Sequence, residues 1–204
     1  MLTGSYHASG IDLQKITKDT AESAIEKLSL GEKNTAFVGY WLSLWRGDEL
    51  PRFETFDMAR LPALAPMMVL FDVVPERSVI VRSAGSEVCR AVGRQLAGLD
   101  WIAYAAARNQ KLRMQNMSEV ANGSVLLARR PFSLATGTPR ANEELVLPFA
   151  PNADGVTPVV ACTDWKIDEP DWYKRVIDVA YVAHDKMVRL RRRKSPAARV
   201  AEPV

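Results

Sequence analysis

Of the side chains that most often carry chemistry, this sequence holds two histidines and two cysteines. His7 stands in a lead that reads as flexible and His184 in the C-terminal segment, so no spacing gathers a base, a carboxylate and a nucleophile. A surface or interface role is the plainer reading of each. Cys89 and Cys162 show neither the paired spacing of a zinc site nor a disulfide framework. Cys89 falls on a short helix with Val88 and Val92. Cys162, beside Val160 and Ala161, reads as a small hydrophobe within a strand. Neither has the setting that a nucleophilic thiolate needs. No carboxylates pair at a spacing that points to hydrolysis, and no glycine-rich phosphate loop occurs. These residues point away from an enzyme.

The charges that remain are basic. Arg189, Arg191, Arg192, Arg193 and Lys194 supply much of a formal net charge of only +3. A nucleic-acid or membrane surface is one reading of that run, and cations complementing a helix C-terminus are another. No recognition helix, zinc spacing or aromatic nucleic-acid motif accompanies it, which argues against nucleic acid. With 204 residues, 48% hydrophobic and 25% charged, the chain suits one packed domain with terminal extensions. The first ten residues lack a charged start followed by an apolar run, and the most apolar stretch, Leu61 to Val74, is interrupted by Pro62, Pro66 and Asp72. A cytoplasmic protein without a membrane span is the expectation.

Periodicity then supplies the elements that would position any site. Asp19 and Glu22 suit a capping box for a short helix to Leu30, which Gly31 stops. Lys33 to Arg46 carries Phe37, Tyr40, Trp41, Leu44 and Trp45 at helical spacing, a wide aromatic stripe that requires a partner surface. A turn-rich approach follows, with a short helix expected at Asp57 to Leu64. Met67 to Val74 and Ser78 to Ser83 read as a hairpin across Pro75 and Glu76. Ser86 to Val92 reads as a short helix stopped at Gly93, and Arg108 to Ala121 as a longer one closed by Asn122-Gly123. Ser124 to Ala135, Glu143 to Ala150 and Thr157 to Lys166 read as an antiparallel meander, joined through Thr136-Gly137-Thr138-Pro139 and Pro151 to Gly155. A helix from Asp171 to about Arg193 closes the order, with Trp172, Val176, Val179, Ala183, Met187 and Leu190 near a heptad seam. The tail from Ser195 is expected to be disordered.

The stretch from Gly85 to Gly98, with Gly93 closing a short helix and Leu96 before the second glycine, resembles the signature of PAS domains. Two strands, a helical middle and three strands is also the PAS order. Trp41 to Arg46, Leu50-Pro51-Arg52, Leu61-Pro62 and Pro66 look like the lead-in of a divergent bacterial PAS family often found as stand-alone proteins. The resemblance divides the chain into an N-terminal extension at 1–32, a PAS-like domain at 33–166, an amphipathic helix at 167–194 and a tail at 195–204. Its fold would be α+β: a five-stranded antiparallel sheet with helices across one face, plus flanking N- and C-terminal helices. It departs from many PAS domains in placing Ser86, where Asn or Thr is common, after Gly85.

What the resemblance implies about function is sensing or regulation, by binding a small molecule or a signalling protein and relaying a shape change through the terminal helices. A ligand would lie between the sheet and the helix at Arg108 to Ala121. Trp101, Tyr104, Leu112, Met117, Phe132 and Leu147 would line that space, with Arg82 or Arg113 as an anchor for an anionic group; core filling is the competing reading of each apolar residue. Haem-binding relatives place an axial histidine on that helix, which has none here, and Met114 or Met117 at helical spacing suits a core better than iron. In flavin photosensors a Cys-Arg pair follows the second-helix glycine, whereas Cys89-Arg90 precedes Gly93. Haem and covalent flavin are therefore disfavoured. Flanking helices in such families commonly form homodimers, so Phe37, Trp41 and Trp45, with Trp172, Val176, Val179, Ala183 and Leu190, are the expected interface. A ligand-free adaptor, docking a partner through the aromatic helix or the basic tail, is the alternative.

Overall fold

Alternating apolar positions build one antiparallel sheet whose two faces are both covered. The computed structural model describes residues 22, 25–26, 30–47, 49–133, 139–166 and 186–189; the side chains of 129–133, 139–141, 165–166 and 186–189 lie outside that description. The helix α1 (Glu32–Ser43) precedes three single-turn 3₁₀ helices, Phe53–Thr55, Met58–Arg60 and Ala65–Met67. Then come β1 (Met68–Val74), β2 (Ser78–Ala84), α2 (Ser86–Val92), α3 (Ala107–Ala121), β3 (Ser124–Ser133), β4 (Pro139–Pro148), β5 (Thr157–Lys166) and β6 (Lys186–Arg189). The strands lie in the order β2-β1-β5-β4-β3-β6, every neighbour antiparallel.

The five expected strands and both middle helices form within a few residues of their predicted bounds. Of the expected helix from Asp19 to Leu30, Glu22, Ile25, Glu26 and Leu30 fall among the described residues; the first three are helical and Leu30 is not. Two expectations are corrected. The short helix at Asp57 to Leu64 gives way to 3₁₀ turns, because Pro62 and Pro66 deny a continuous helix its backbone donors. Within the C-terminal helix expected to about Arg193, Lys186–Arg189 is instead a strand that pairs Val188 with Val125 and Met187 with Leu126. Such pairing occupies backbone groups along β3 that would otherwise stand on an open edge. The seam residues Trp172, Val176, Val179, Ala183 and Leu190 lie outside the described residues.

Period-two alternation divides the strand side chains between two cores. Met68, Val125, Leu127, Leu145, Leu147, Val160 and Cys162 face α1, where they meet Phe37, Val38, Trp41 and Trp45. Val69, Phe71, Val73, Val79, Val81, Leu126, Val146, Val159 and Ala161 face α2 and α3. At the far edge the backbone of Gly98, Leu99 and Trp101 bonds to Val81 and Val79, so an irregular loop lines β2 as a further strand would. Gly85, between β2 and α2, sits so close to the 3₁₀ turns that any Cβ there would run into the carbonyl oxygens of Ala65 and Pro66.

Candidate functional site

Beneath α3 the expected pocket is almost filled. Phe71, Trp101, Arg113, Asn116, Met117, Leu126, Glu144 and Val146 enclose a hollow of about 40 Å³. That is room for a water or two, whereas small-molecule sites occupy roughly 300–1,000 Å³. Trp101 lies against Phe71, ring centroids 5.6 Å apart, and its backbone N–H donates to Val79. The Arg113 guanidinium sits 4.5 Å above the Trp101 ring and donates to the Trp101 carbonyl at 3.0 Å. Trp101, Arg113 and Met117 are thus brought together as predicted, but as a packed cluster.

The remaining predicted lining residues go elsewhere. Tyr104 stacks on Trp101 at 5.8 Å and is 42% exposed, outside the hollow. Leu112 is half-buried on α3 without lining it. Phe132 pairs with Arg140 through its backbone, and its side chain is outside the described residues. Leu147 belongs to the other face, in the core beneath α1. Arg82 also lies on that side, opposite in parity to Val79 and Val81: it sits 5.2 Å from the Phe53 ring, and both its terminal nitrogen and Nε donate to Asp72. Phe71, Asn116, Leu126, Glu144 and Val146 were missed. Glu144, a carboxylate among Leu145, Val146 and Leu147, was the legible signal.

The aromatic stripe of α1 is likewise reassigned. Phe37 and Trp41 are wholly buried and Trp45 nearly so, all within their own chain, so they are core residues and not a surface for a second copy. Trp41 Nε1 donates to the Pro148 carbonyl at 2.9 Å, which pins the helix across the sheet. A polar latch holds its start. Glu143, 1% exposed on β4, accepts at Oε1 from the Gly31 N–H at 2.7 Å and from Asn34 Nδ2 at 3.0 Å. Lys33 pairs with Asp164 of β5 at 2.9 Å. Carboxylates at a helix N-terminus meet its unpaired N–H groups and the positive end of its dipole.

Neither thiol contributes a reactive group to these sites. Cys162 is fully buried, and burial first, then the charges of Asp164 and Glu144, push its pKa up to about 12 against an opposing pull from Lys33. Cys89 packs on α2 with its sulfur 3.6 Å from Gln95 Oε1.

On the α1 side a larger hollow, about 300 Å³, opens between the 3₁₀ turns and the sheet. No helix among the described residues is long and apolar enough to cross a membrane.

A central antiparallel sheet with short helices on one face and a flanking helix docked on the other defines an α+β sandwich. The sequence profile of the PAS domain family matches residues 31–162, and the chain belongs to that family. Comparison with curated proteins returned no match. Among solved structures it is similar to the Rhodobacter sphaeroides LOV protein at 15% identity, with 57% of this chain and 72% of that one covered and a TM-score of 0.38. VqmA bound to DPO is similar at 10% identity, with 55% and 58% covered and a TM-score of 0.41. A PAS domain of an HTR-like protein from Haloarcula marismortui matches at 14% identity, with 53% and 90% covered and a TM-score of 0.34.

Proposed function

We propose that this PAS domain is a regulator in bacterial signal transduction, not a catalyst, which binds a small ligand or a protein partner and relays the change through its terminal segments. One observation supports the relay above all. Glu143 and Glu144 are consecutive on β4, so their side chains leave opposite faces of the sheet: Glu144 lines the hollow with Trp101 and Arg113, while Glu143 grips the start of α1. A rearrangement under α3 that shifts β4 therefore alters the latch on the other side. A ligand or partner does this only by favouring one packing over another, and on this reading the docked helix is the element that shifts.

The test is hydrogen exchange in a Trp101→Ala variant, with the α2 amides as an internal reference. Faster exchange across Glu32–Ser43, in excess of any change in α2, is expected. Unchanged protection of α1 would count against the relay. The hollow of about 40 Å³ favours the adaptor as the second reading, since little interior space is available to a ligand under α3. Native mass spectrometry of the protein from its own host distinguishes the two: a retained small molecule supports a ligand sensor, and bare protein supports the adaptor.

A further inference from the structure

The hollow on the α1 side carries an inference that rests on the regulatory reading and gives it a ligand class. At about 300 Å³ it falls within the range of small-molecule sites. Met68, Leu70 and Val160 form its floor, and Phe53, Phe56 and Met58 its wall. Met58, in that wall, is 41% exposed, so the hollow is open to solvent on that side. Two polar side chains reach the same space: Asp57 at the rim, and Ser83, which the β2 bulge turns inward beside Leu70.

Their chemistry is selective. Asp57 Oδ1 already accepts from the Ala59 N–H at 2.9 Å, and an ionised carboxylate has acceptor capacity left but no proton to give. Arg82, the neighbouring cation, is committed to Asp72 and to the Phe53 ring. A ligand carboxylate would meet like charge at this rim, while an amine or hydroxyl would find an acceptor. We propose that this hollow binds a small, flat, apolar molecule whose hydrogen-bond-donating head, an amine or a hydroxyl, lies at Asp57. The site is joined to the helix that the regulatory reading requires to move. The Asp57 N–H donates to the Tyr40 hydroxyl at 2.9 Å, and the Phe56 ring lies 5.6 Å from Tyr40 and 6.4 Å from Phe37 on α1.

Three probes with one ring system and different heads test it by titration calorimetry of the full chain: tryptamine, tryptophol and indole-3-acetate. Saturable binding of tryptamine and tryptophol is expected, with indole-3-acetate at least tenfold weaker. Asp57→Asn should narrow the gap between tryptamine and indole-3-acetate. Met58→Lys, at an exposed position that leaves the core intact, should weaken tryptamine and favour indole-3-acetate. Ala65→Trp should fill the hollow and abolish binding of all three. Absence of saturable binding, equal affinity for the three heads, or affinities indifferent to Asp57→Asn and Met58→Lys would overturn the assignment. Exchange in the Trp101→Ala variant reports on the relay independently, so a failure of the probes alone rejects the ligand class and leaves that reading standing.

Discussion

At the scale of single residues, Glu143 has the largest consequence. Truncation by Glu143→Ala removes the acceptor of two donors, one from Gly31 and one from Asn34, in a place water reaches poorly. A loss of about 1–3 kcal/mol in urea unfolding is expected, with Glu143→Gln recovering most of it because a carbonyl oxygen remains. Equal losses for both variants would mean that charge, not the acceptor, holds the latch. Cys162 gives a pH prediction with a definite sign. Its thiol ionises near 9 when unfolded and near 12 when folded. Between those values the unfolded chain has released a proton that the folded one retains, so stability falls as pH rises through that window. From pH 7 to pH 10 the loss is about 1 kcal/mol, seen as the part of the change in unfolding free energy that disappears in Cys162→Ala. Sequence could not assign the face of Leu147. Leu145, Val146 and Leu147 are all buried, and an unbroken apolar run carries no parity. Arg82 was misplaced although alternation carries its face: Val79 and Val81 are buried toward α2 and α3, which leaves Arg82 for the other side.

At the scale of elements, the close approach at Gly85 makes a sharp test. Gly85→Ala would force backbone apart at the junction of β2, α2 and the 3₁₀ turns, with an expected cost on the order of 1–3 kcal/mol in denaturant unfolding. Gly39→Ala, where a Cβ meets open space on α1, should be neutral or stabilising by up to about 1 kcal/mol. The strands and middle helices were legible because their apolar periods are distinct and glycines or prolines punctuate them. The aromatic stripe of α1 was read correctly as a helix and incorrectly as an interface, since a sheet of the same chain and a second copy demand the same pattern. Lys186–Arg189 failed for want of length. Four residues with two apolar side chains satisfy a helical seam and a strand alike, and only the edge of β3 that β4 leaves open decides.

At the scale of the whole molecule, two cores share one sheet, so neither can dissolve while the other persists. Far-UV circular dichroism and tryptophan fluorescence should therefore report one urea midpoint; separated midpoints would show the faces to be independent. The homodimer expected from the C-terminal seam is a proposal of the same scale. Val176→Glu together with Val179→Glu should convert it to a monomer by light scattering, and an unchanged mass would reject the seam. The overall fold was readable because its order of elements is distinctive. The site was less so, because closing or opening a pocket depends on a few ångströms of helix placement that apolar patterning does not encode.

The loop of Gly98, Leu99 and Trp101 along β2 has a consequence for how copies of this protein meet. Its carbonyls and N–H groups already occupy the outer rim of that strand, while Asp100 Oδ1 braces the turn by accepting from Ile102 and Ala103. A bare rim is a template on which foreign strands stack into fibrils, and here the template is blocked from within. Loosening the brace with Asp100→Ala should therefore raise thioflavin-positive aggregation on gentle heating, turning a guarded margin into a growing one.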